Sequence, residues 1–535
     1  MTSKLTFIKS AWIALVLFAF MAVTFGLAYT QPLLYDGNQN TKFLHGLAQA
    51  GMGYLKDDWL AQTVDPLPAF SFVVSFTYLY LSESFFYFYY ILIFGIYAWS
   101  LAGIASHLFK IDRSLARYLV FFAALLALHS DRLQILTNKT LDLNMEFLQF
   151  GLAGQYLLGP GFQNSVFGVF LLLSIYLYLE RRYILSILAI GLTGIFHSAY
   201  LLSAGLMTAA YMLTLLFEKL DRRNLSWANI MHAIRKPLLL GLVALALVAP
   251  VLWYNQVYLS STSAEAFRQS IHILVHERIP HHSLPNVWWN RTAYIQIGLM
   301  LVGLFLARRS RLFAVLLALM AGGLVLTLVQ IFTGSDSLAM LAPWRVSVLL
   351  VPISTALILA WLINLVFDHL PLESRWAQVG LVVISLLTVV YLARSGLTLQ
   401  NARWRRYLKR DVISVMNYVK DHKAPGEIYL VPPLDNQFDD FRLYTGAPIF
   451  INWKSHPYRD QAVLEWYHRN QVASEIYTLK TSAACEALAK LTDHYDLSYI
   501  IMRSDDVVAS CSGLDEVYRD RYYVLAALPK AGAGR

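Results

Sequence analysis

The residues best suited to chemistry stand in a few short runs. One is His272, then His276-Glu277-Arg278-Ile279-Pro280-His281-His282, followed by Trp288 and Trp289. His272 and His276 are four apart, the spacing of two imidazoles on one helix face, which suits zinc; no thiolate lies near them. A solvated or pH-responsive loop is a second reading, because imidazole titrates near neutrality. The third is a phosphate clamp, in which Arg278 forks onto an oxygen pair, His281 or His282 donates to another oxygen, and the tryptophans seat the loop at headgroup level. Elsewhere, Asp36 directly follows an apolar run, where a carboxylate is costly unless it has a partner or a task. Its alternative role is to cap a helix carrying Phe43, Leu47 and Ala50 on one face. His129, Asp131, His197 and Arg345 end or begin other apolar runs and either face a common cavity or simply snorkel. Asp336 is a candidate partner for Arg345.

These groups need a scaffold, and the composition says which. The chain has 535 residues, 57% hydrophobic and only 14% charged, with a formal net charge of +9. A typical soluble domain carries about 25% charged residues, so a soluble cytoplasmic enzyme is excluded, as are a disordered chain and a disulfide-dense secreted module. Eleven apolar runs, near 8–28, 85–107, 116–130, 164–180, 183–198, 199–218, 237–255, 293–307, 312–333, 344–367 and 376–393, approach the length of a membrane-crossing helix. A further apolar stretch, Ala69 to Ser82, is short and reads as a re-entrant or interfacial helix; if it crosses instead, a second extra crossing near Leu143 to Leu158 is needed and Lys110, Arg113 and Arg117 fall outside. The predicted class is an α-helical polytopic membrane protein with about 11 transmembrane helices.

Basic residues set the orientation, since Lys and Arg are retained on the cytoplasmic side. Lys4 and Lys9 put the N-terminus inside. Lys110, Arg113 and Arg117; Arg181 and Arg182; Lys219, Arg222, Arg223, Arg235 and Lys236; Arg308, Arg309 and Arg311; and Arg375 then share that side. Loops 30–68 and 256–292 and everything after about Ser395 fall outside. Topology thus accounts for much of the positive charge, and no basic run is interleaved with aromatics, so no nucleic-acid partner is implied.

Two regions are expected: a transmembrane domain over 1–394 and an extracytoplasmic domain over 395–535. In the second, helices at Tyr407–His422, Asp460–Tyr477 and Ala483–His494 alternate with strands at Ile428–Val431 and Leu497–Met502 and a hairpin through Phe441–Asn452. That order predicts a small α/β domain. Its Lys454, His456 and Arg459, amid aromatics, either close over an anionic or glycan ligand or form a packed edge. Cys485 and Cys511, the only cysteines, are a possible disulfide or two separate thiols.

The first outer loop resembles that of the GT-C superfamily of polytopic glycosyltransferases. The likeness rests on Asp36 just after the first span, the amphipathic stretch behind it, the turn Gly53-Tyr54-Leu55-Lys56-Asp57-Asp58-Trp59-Leu60, and the Pro-rich entry Asp65-Pro66-Leu67-Pro68. The resemblance implies a GT-C-like fold and transfer of sugar from a polyprenyl-phosphate carrier, with Asp36 at the reacting centre. Two departures stand out. The family often has Asp-Glu where this chain has Asp36-Gly37, and the place of its second acid, Pro160–Ser165, holds no carboxylate. The paired acids of a metal-dependent scheme are thus absent from the matching positions, and Asp131, Asp142 and Glu146 are only nearby candidates. Phe441–Pro448, Asn452–Arg459 and the Arg278–His282 run more closely resemble an uncharacterised family of bacterial polytopic membrane proteins.

The expectation is an enzyme of a bacterial inner membrane, with a polyprenyl-phosphate-linked sugar and membrane lipids as partners. Asp36 is its general base. Arg278, His281, His282, His197, Arg345 and Asp58 bind substrate or lipid phosphate. No cofactor is fixed by the sequence, and a divalent cation stays open. The alternative is a transporter or a protein that handles lipid-linked glycans without chemistry.

Overall fold

A computed structural model describes residues 11–29, 31, 33–142, 144–220, 226–372, 374–479 and 481–529. Lys4, Lys9, Arg222 and Arg223, used above for orientation, lie outside the described residues. The chain divides into two compact units: Met1–Gln31, Tyr87–Trp253 and Leu274–Asn401 form the first, and Pro32–Phe86, Tyr254–Ile273 and Ala402–Arg535 the second.

The first unit is helical because an apolar run in lipid must satisfy its backbone within itself. Among the described residues of the chain, seven helices are long and apolar enough to cross a membrane: Ala11–Ala28, Phe85–Phe109, Ser198–Lys219, Trp227–Tyr258, Leu312–Thr333, Asp336–His369 and Arg375–Tyr407. A bent pair, Leu115–His129 with Asp131–Thr140, turns by 61°. Its cause is Ser130, whose extended backbone ends one helix while its hydroxyl accepts the Leu133 amide and starts the next. Shorter apolar helices are Pro68–Tyr80, Asn164–Leu179, Tyr183–Phe196 and Arg291–Ala307. Each of the eleven apolar runs coincides with one of these helices, and the chain is a multi-pass membrane protein. Close helix packing relies on glycine: a Cβ at Gly396 would stand 2.0 Å from the Leu27 carbonyl, and one at Gly303 would stand 2.1 Å from the Ser354 hydroxyl. Basic turn residues are tied to helix ends, as where Arg117 donates to Asn364 and Asp368, both at 2.9 Å.

The second unit contains a four-stranded sheet of order β1-β2-β4-β3, with β1 Tyr429–Leu430, β2 Tyr499–Arg503, β3 Asp515–Arg519 and β4 Tyr523–Ala527. β1 runs parallel to β2; the other pairs are antiparallel. Alternation of side chains sorts the core. Ile500, Met502, Val524 and Ala526 pack with Trp466, Ala473, Ile476, Ala484 and Leu488 of helices Asp460–Thr478 and Thr481–His494. Ile501, Tyr523 and Leu525 pack with Val415, Met416 and Val419 of helix Ile413–His422. Since both faces are covered, β2 reads as a continuous apolar run. A disulfide joins Cys485 to Cys511, with Cα atoms 5.5 Å apart.

Two local expectations change. Phe441–Asn452 is not a hairpin: Phe441–Thr445 is helical, Gly446 (φ 70°) ends it, and Ile449 bridges to Tyr429 in parallel. The expected helix from Tyr407 starts at Ile413, because Tyr407 ends the long helix Arg375–Tyr407 and residues 408–412 turn between the two. The first loop packs inside this unit. The Tyr54 amide donates to the Gly446 carbonyl at 2.8 Å, Thr41 bonds Ser455 at 2.9 Å, and Trp59 packs against the sheet's core. Gly53 lies so close to Gly446 that a Cβ would sit 2.3 Å from its carbonyl oxygen.

Candidate functional site

In the second unit, Asp36 is held by its neighbours' backbones. Tyr35 (φ 72°) and Gly37 (φ 58°) are both left-handed, and for a tyrosine that conformation is uncommon and strained. It is held by Gln39, whose side chain accepts the Tyr35 amide at 2.7 Å, and by a hydrogen bond from the Tyr35 hydroxyl to Glu83. The helix that follows starts at Gln39 with Asn38 at its N-cap and no side-chain cap bond, so Asp36 is not spent on capping. Its side chain still reaches solvent. Desolvation by the surrounding structure, helped by the charge of Asp440, raises the Asp36 pKa against a hydrogen bond from the Gly37 backbone and the charges of Arg410 and Lys454.

Those neighbours come from the tail and were not foreseen. Asp440 is 3% exposed and accepts from the Tyr407 hydroxyl at 2.6 Å and from Arg410 at 2.7 Å. A segment that ends a transmembrane helix and a loop after β1 thereby set the field at Asp36. No local sequence signal links them to the first loop.

Asp58, expected to touch substrate, is buried instead. It accepts from Arg442 (3.3 Å) and from the amides of Leu60 and Ile449 (both 3.0 Å). Arg442 and Asp58 side chains are each 1% exposed, and burial pushes the guanidinium pKa down against the pull of Asp58 and Asp439. With both oxygens occupied inside the core, Asp58 positions the first loop.

The first unit brings most of the expected basic groups together. His197 sits in extended backbone (φ −153°) at the break between Tyr183–Phe196 and the helix beginning at Ser198. Arg345 Nη1 lies 3.0 Å from His197 Nε2, and Asn164 lies 2.8 Å from His197 Nδ1. A guanidinium only donates, so His197 Nε2 accepts and Nδ1 carries the proton, which requires the Asn164 amide, whose Nδ2 faces Nδ1, to be turned so that its oxygen receives that proton. Arg345 Nε is buried and makes no hydrogen bond among the described residues. Asp336, the expected partner of Arg345, instead bonds His276 Nε2 at 2.9 Å. His272 belongs to the second unit.

Arg278 closes the short π-helix Leu274–Arg278, and Pro280 starts the turn carrying His281 and His282. His282 Nδ1 donates to the Ala153 carbonyl at 2.6 Å. Ala153 (φ 58°) and Gly154 (φ 62°) form a left-handed turn that aims this carbonyl. Burial, with the charges of His281, Arg345 and Arg278 adding to it, pushes the His282 pKa down to about 4, against the bond to Ala153. His282 is therefore neutral at pH 7, with Nε2 as an acceptor, so the positive charge here rests on Arg278 and Arg345. The His281 and His282 rings are 4.0 Å apart.

A family described as a domain of unknown function, DUF6798, matches residues 410–473, the segment holding Arg410, Asp440, Arg442 and Lys454. No curated protein matches the chain. Among solved structures, the chain is similar to ArnT from Cupriavidus metallidurans bound to undecaprenyl phosphate, at 16% identity and TM-score 0.44, over 97% of this chain and 98% of that one. It is also similar to the apo oligosaccharyltransferase of Archaeoglobus fulgidus, at 12% identity and TM-score 0.41, over 93% of this chain and 70% of that one.

Proposed function

We propose that the protein is an integral-membrane glycosyltransferase that takes a sugar from a polyprenyl-phosphate carrier and gives it to an acceptor hydroxyl at the extracytoplasmic face. In this reading the N-terminus is cytoplasmic, the tail is extracytoplasmic, and the membrane is a bacterial inner membrane. The observation that supports it best is the cationic set of the first unit. Arg345 is oriented by His197 yet has an Nε that makes no hydrogen bond among the described residues, and Arg278 and Arg345 are close enough to act on the charge of His282. A guanidinium left incompletely bonded beside other cations suits an anion with several oxygens, and the phosphate of a membrane lipid is such an anion.

Chemically, the acceptor oxygen bonds to the anomeric carbon as that carbon's bond to phosphate oxygen breaks, inverting the centre. The carrier leaves as polyprenyl phosphate, its growing negative charge stabilised by Arg278 and Arg345, and the acceptor's proton passes to the Asp36 carboxylate. A raised pKa makes Asp36 a better base than an ordinary surface carboxylate.

The test pairs binding with turnover. Each charge-assisted hydrogen bond contributes about 1.5–3 kcal/mol. Arg278→Ala and Arg345→Ala should therefore each weaken undecaprenyl phosphate binding by roughly tenfold or more. Asp36→Asn should keep lipid binding and lose transfer from a lipid extract. Unchanged lipid affinity in the double arginine variant, or wild-type turnover in folded Asp36→Asn, would overturn the reading.

A further inference from the structure

Within the first unit, a cavity of about 310 Å³ opens beside the His281–His282 turn. Its lining includes Glu146, His281, Asn290, Gln296, Phe150 and Trp288. Three of these polar side chains are already held by hydrogen bonds. Asn144 donates to Glu146 Oε2 at 2.7 Å, leaving Oε1 without a hydrogen bond among the described residues. Gln296, 3% exposed, donates its amide to the Phe150 and Gly151 carbonyls at 2.8 and 3.2 Å. Asn290 caps the helix Arg291–Ala307 by accepting the Ala293 amide at 3.1 Å, so its NH₂ stays available. Trp288 is 6% exposed and fixed against Trp289, with ring centroids 5.5 Å apart.

This lining selects by exclusion. An alkyl chain would strip water from a carboxylate and several amides without replacing their hydrogen bonds. Glu146 repels an anion. What remains is a small ligand with apolar faces for the aromatic rings and hydroxyls around its edge. The volume lies at the low end of the ~300–1,000 Å³ typical of ligand pockets, which limits the occupant to about one ring. Ala153 and Gly154 also line the cavity, and the Ala153 carbonyl is the atom that His282 holds.

We infer that this cavity is a subsite for one uncharged pyranose ring, seated against Trp288 and Phe150 with its hydroxyls on Glu146, Gln296 and Asn290. Assigning that ring as the sugar of the transferred donor rests on the glycosyltransferase reading; the binding itself does not.

Saturation-transfer NMR on the full chain, in a detergent without sugar headgroups, tests it. The probes are methyl pyranosides of gluco, galacto, manno, xylo, arabino and 2-acetamido-gluco configuration, with choline chloride as a cationic control. At least one pyranoside should give a signal. Glu146→Ala should weaken it by roughly tenfold, and Ala293→Phe, which fills the cavity, should abolish it. A single size-exclusion peak and a wild-type thermal unfolding midpoint show that each variant is folded. Silence from every pyranoside, signals equal in wild type and both folded variants, or a response to choline alone would overturn the proposal. Pyranoside binding without lipid binding would instead sink the transfer reading and leave the subsite standing.

Discussion

Replacing Asp58 by alanine is the most direct probe of what the first loop does. The substitution removes the partner of a guanidinium that is 1% exposed, and it also strands the Leu60 and Ile449 amides. Among the described residues Arg442 would keep one long hydrogen bond, to Asn452 at 3.4 Å, and the weaker pull of Asp439. Breaking a buried pair from one side costs about 3–5 kcal/mol, mostly because the remaining charge is left uncompensated. Amides of β2 are the place to read the loss, since Ile500 to Met502 are fully buried in the sheet of the same unit. Their hydrogen exchange should accelerate by roughly 10²- to 10³·⁵-fold, following that range of free energy. The pair Asp58→Leu with Arg442→Met, which removes both charges, should recover most of the protection. Exchange within about tenfold of wild type in Asp58→Ala would refute the reasoning. A loss of turnover with untouched β2 protection would return Asp58 to the substrate-binding groups.

Two other outcomes follow from the second unit. Removing the Cys485–Cys511 disulfide, which closes a separation of 26 residues, should cost about 3.5 kcal/mol in the chain-entropy estimate; an urea midpoint unchanged in the double serine variant would contradict it. If Asp36 is the base, turnover should fall as pH drops through its raised pKa, placing the acid limb above the usual carboxylate range of about 4. Asp440→Asn should move that limb to lower pH and Arg410→Gln to higher pH, and a limb indifferent to both would remove Asp36 from the chemistry.

Much of the fold was legible because hydropathy is a local property. The eleven apolar runs and the helices at Asp460–Thr478 and Thr481–His494 each carry their own signal. β3 and β4 were not foreseen: β3 is short, charged and mostly exposed, and β4 follows closely within the last stretch of chain. The hairpin expected at Phe441–Asn452 failed because Gly446 ends a helical turn rather than joining two strands. At the candidate sites, residue types were legible and partners were not. Asp336 chose His276 over Arg345, which is bonded to His197, since helix packing and not sequence proximity decides such pairs. The charge state of His282 depends on burial and on neighbours brought by other helices, which spacing alone does not encode.

The second unit is assembled from three stretches of chain, and this sets a clock on its synthesis. Asp58 and Arg442 are 384 residues apart. At ~5–20 residues per second, a ribosome needs roughly 20–80 s to deliver the arginine after the aspartate. For that interval the first loop has neither its guanidinium nor the Gly446 carbonyl that receives Tyr54. It must wait as an unpaired segment while the helices between are made. A chain halted before Arg442 would thus carry a complete first loop that cannot finish folding, and a quality-control protease would have that loop as its earliest target.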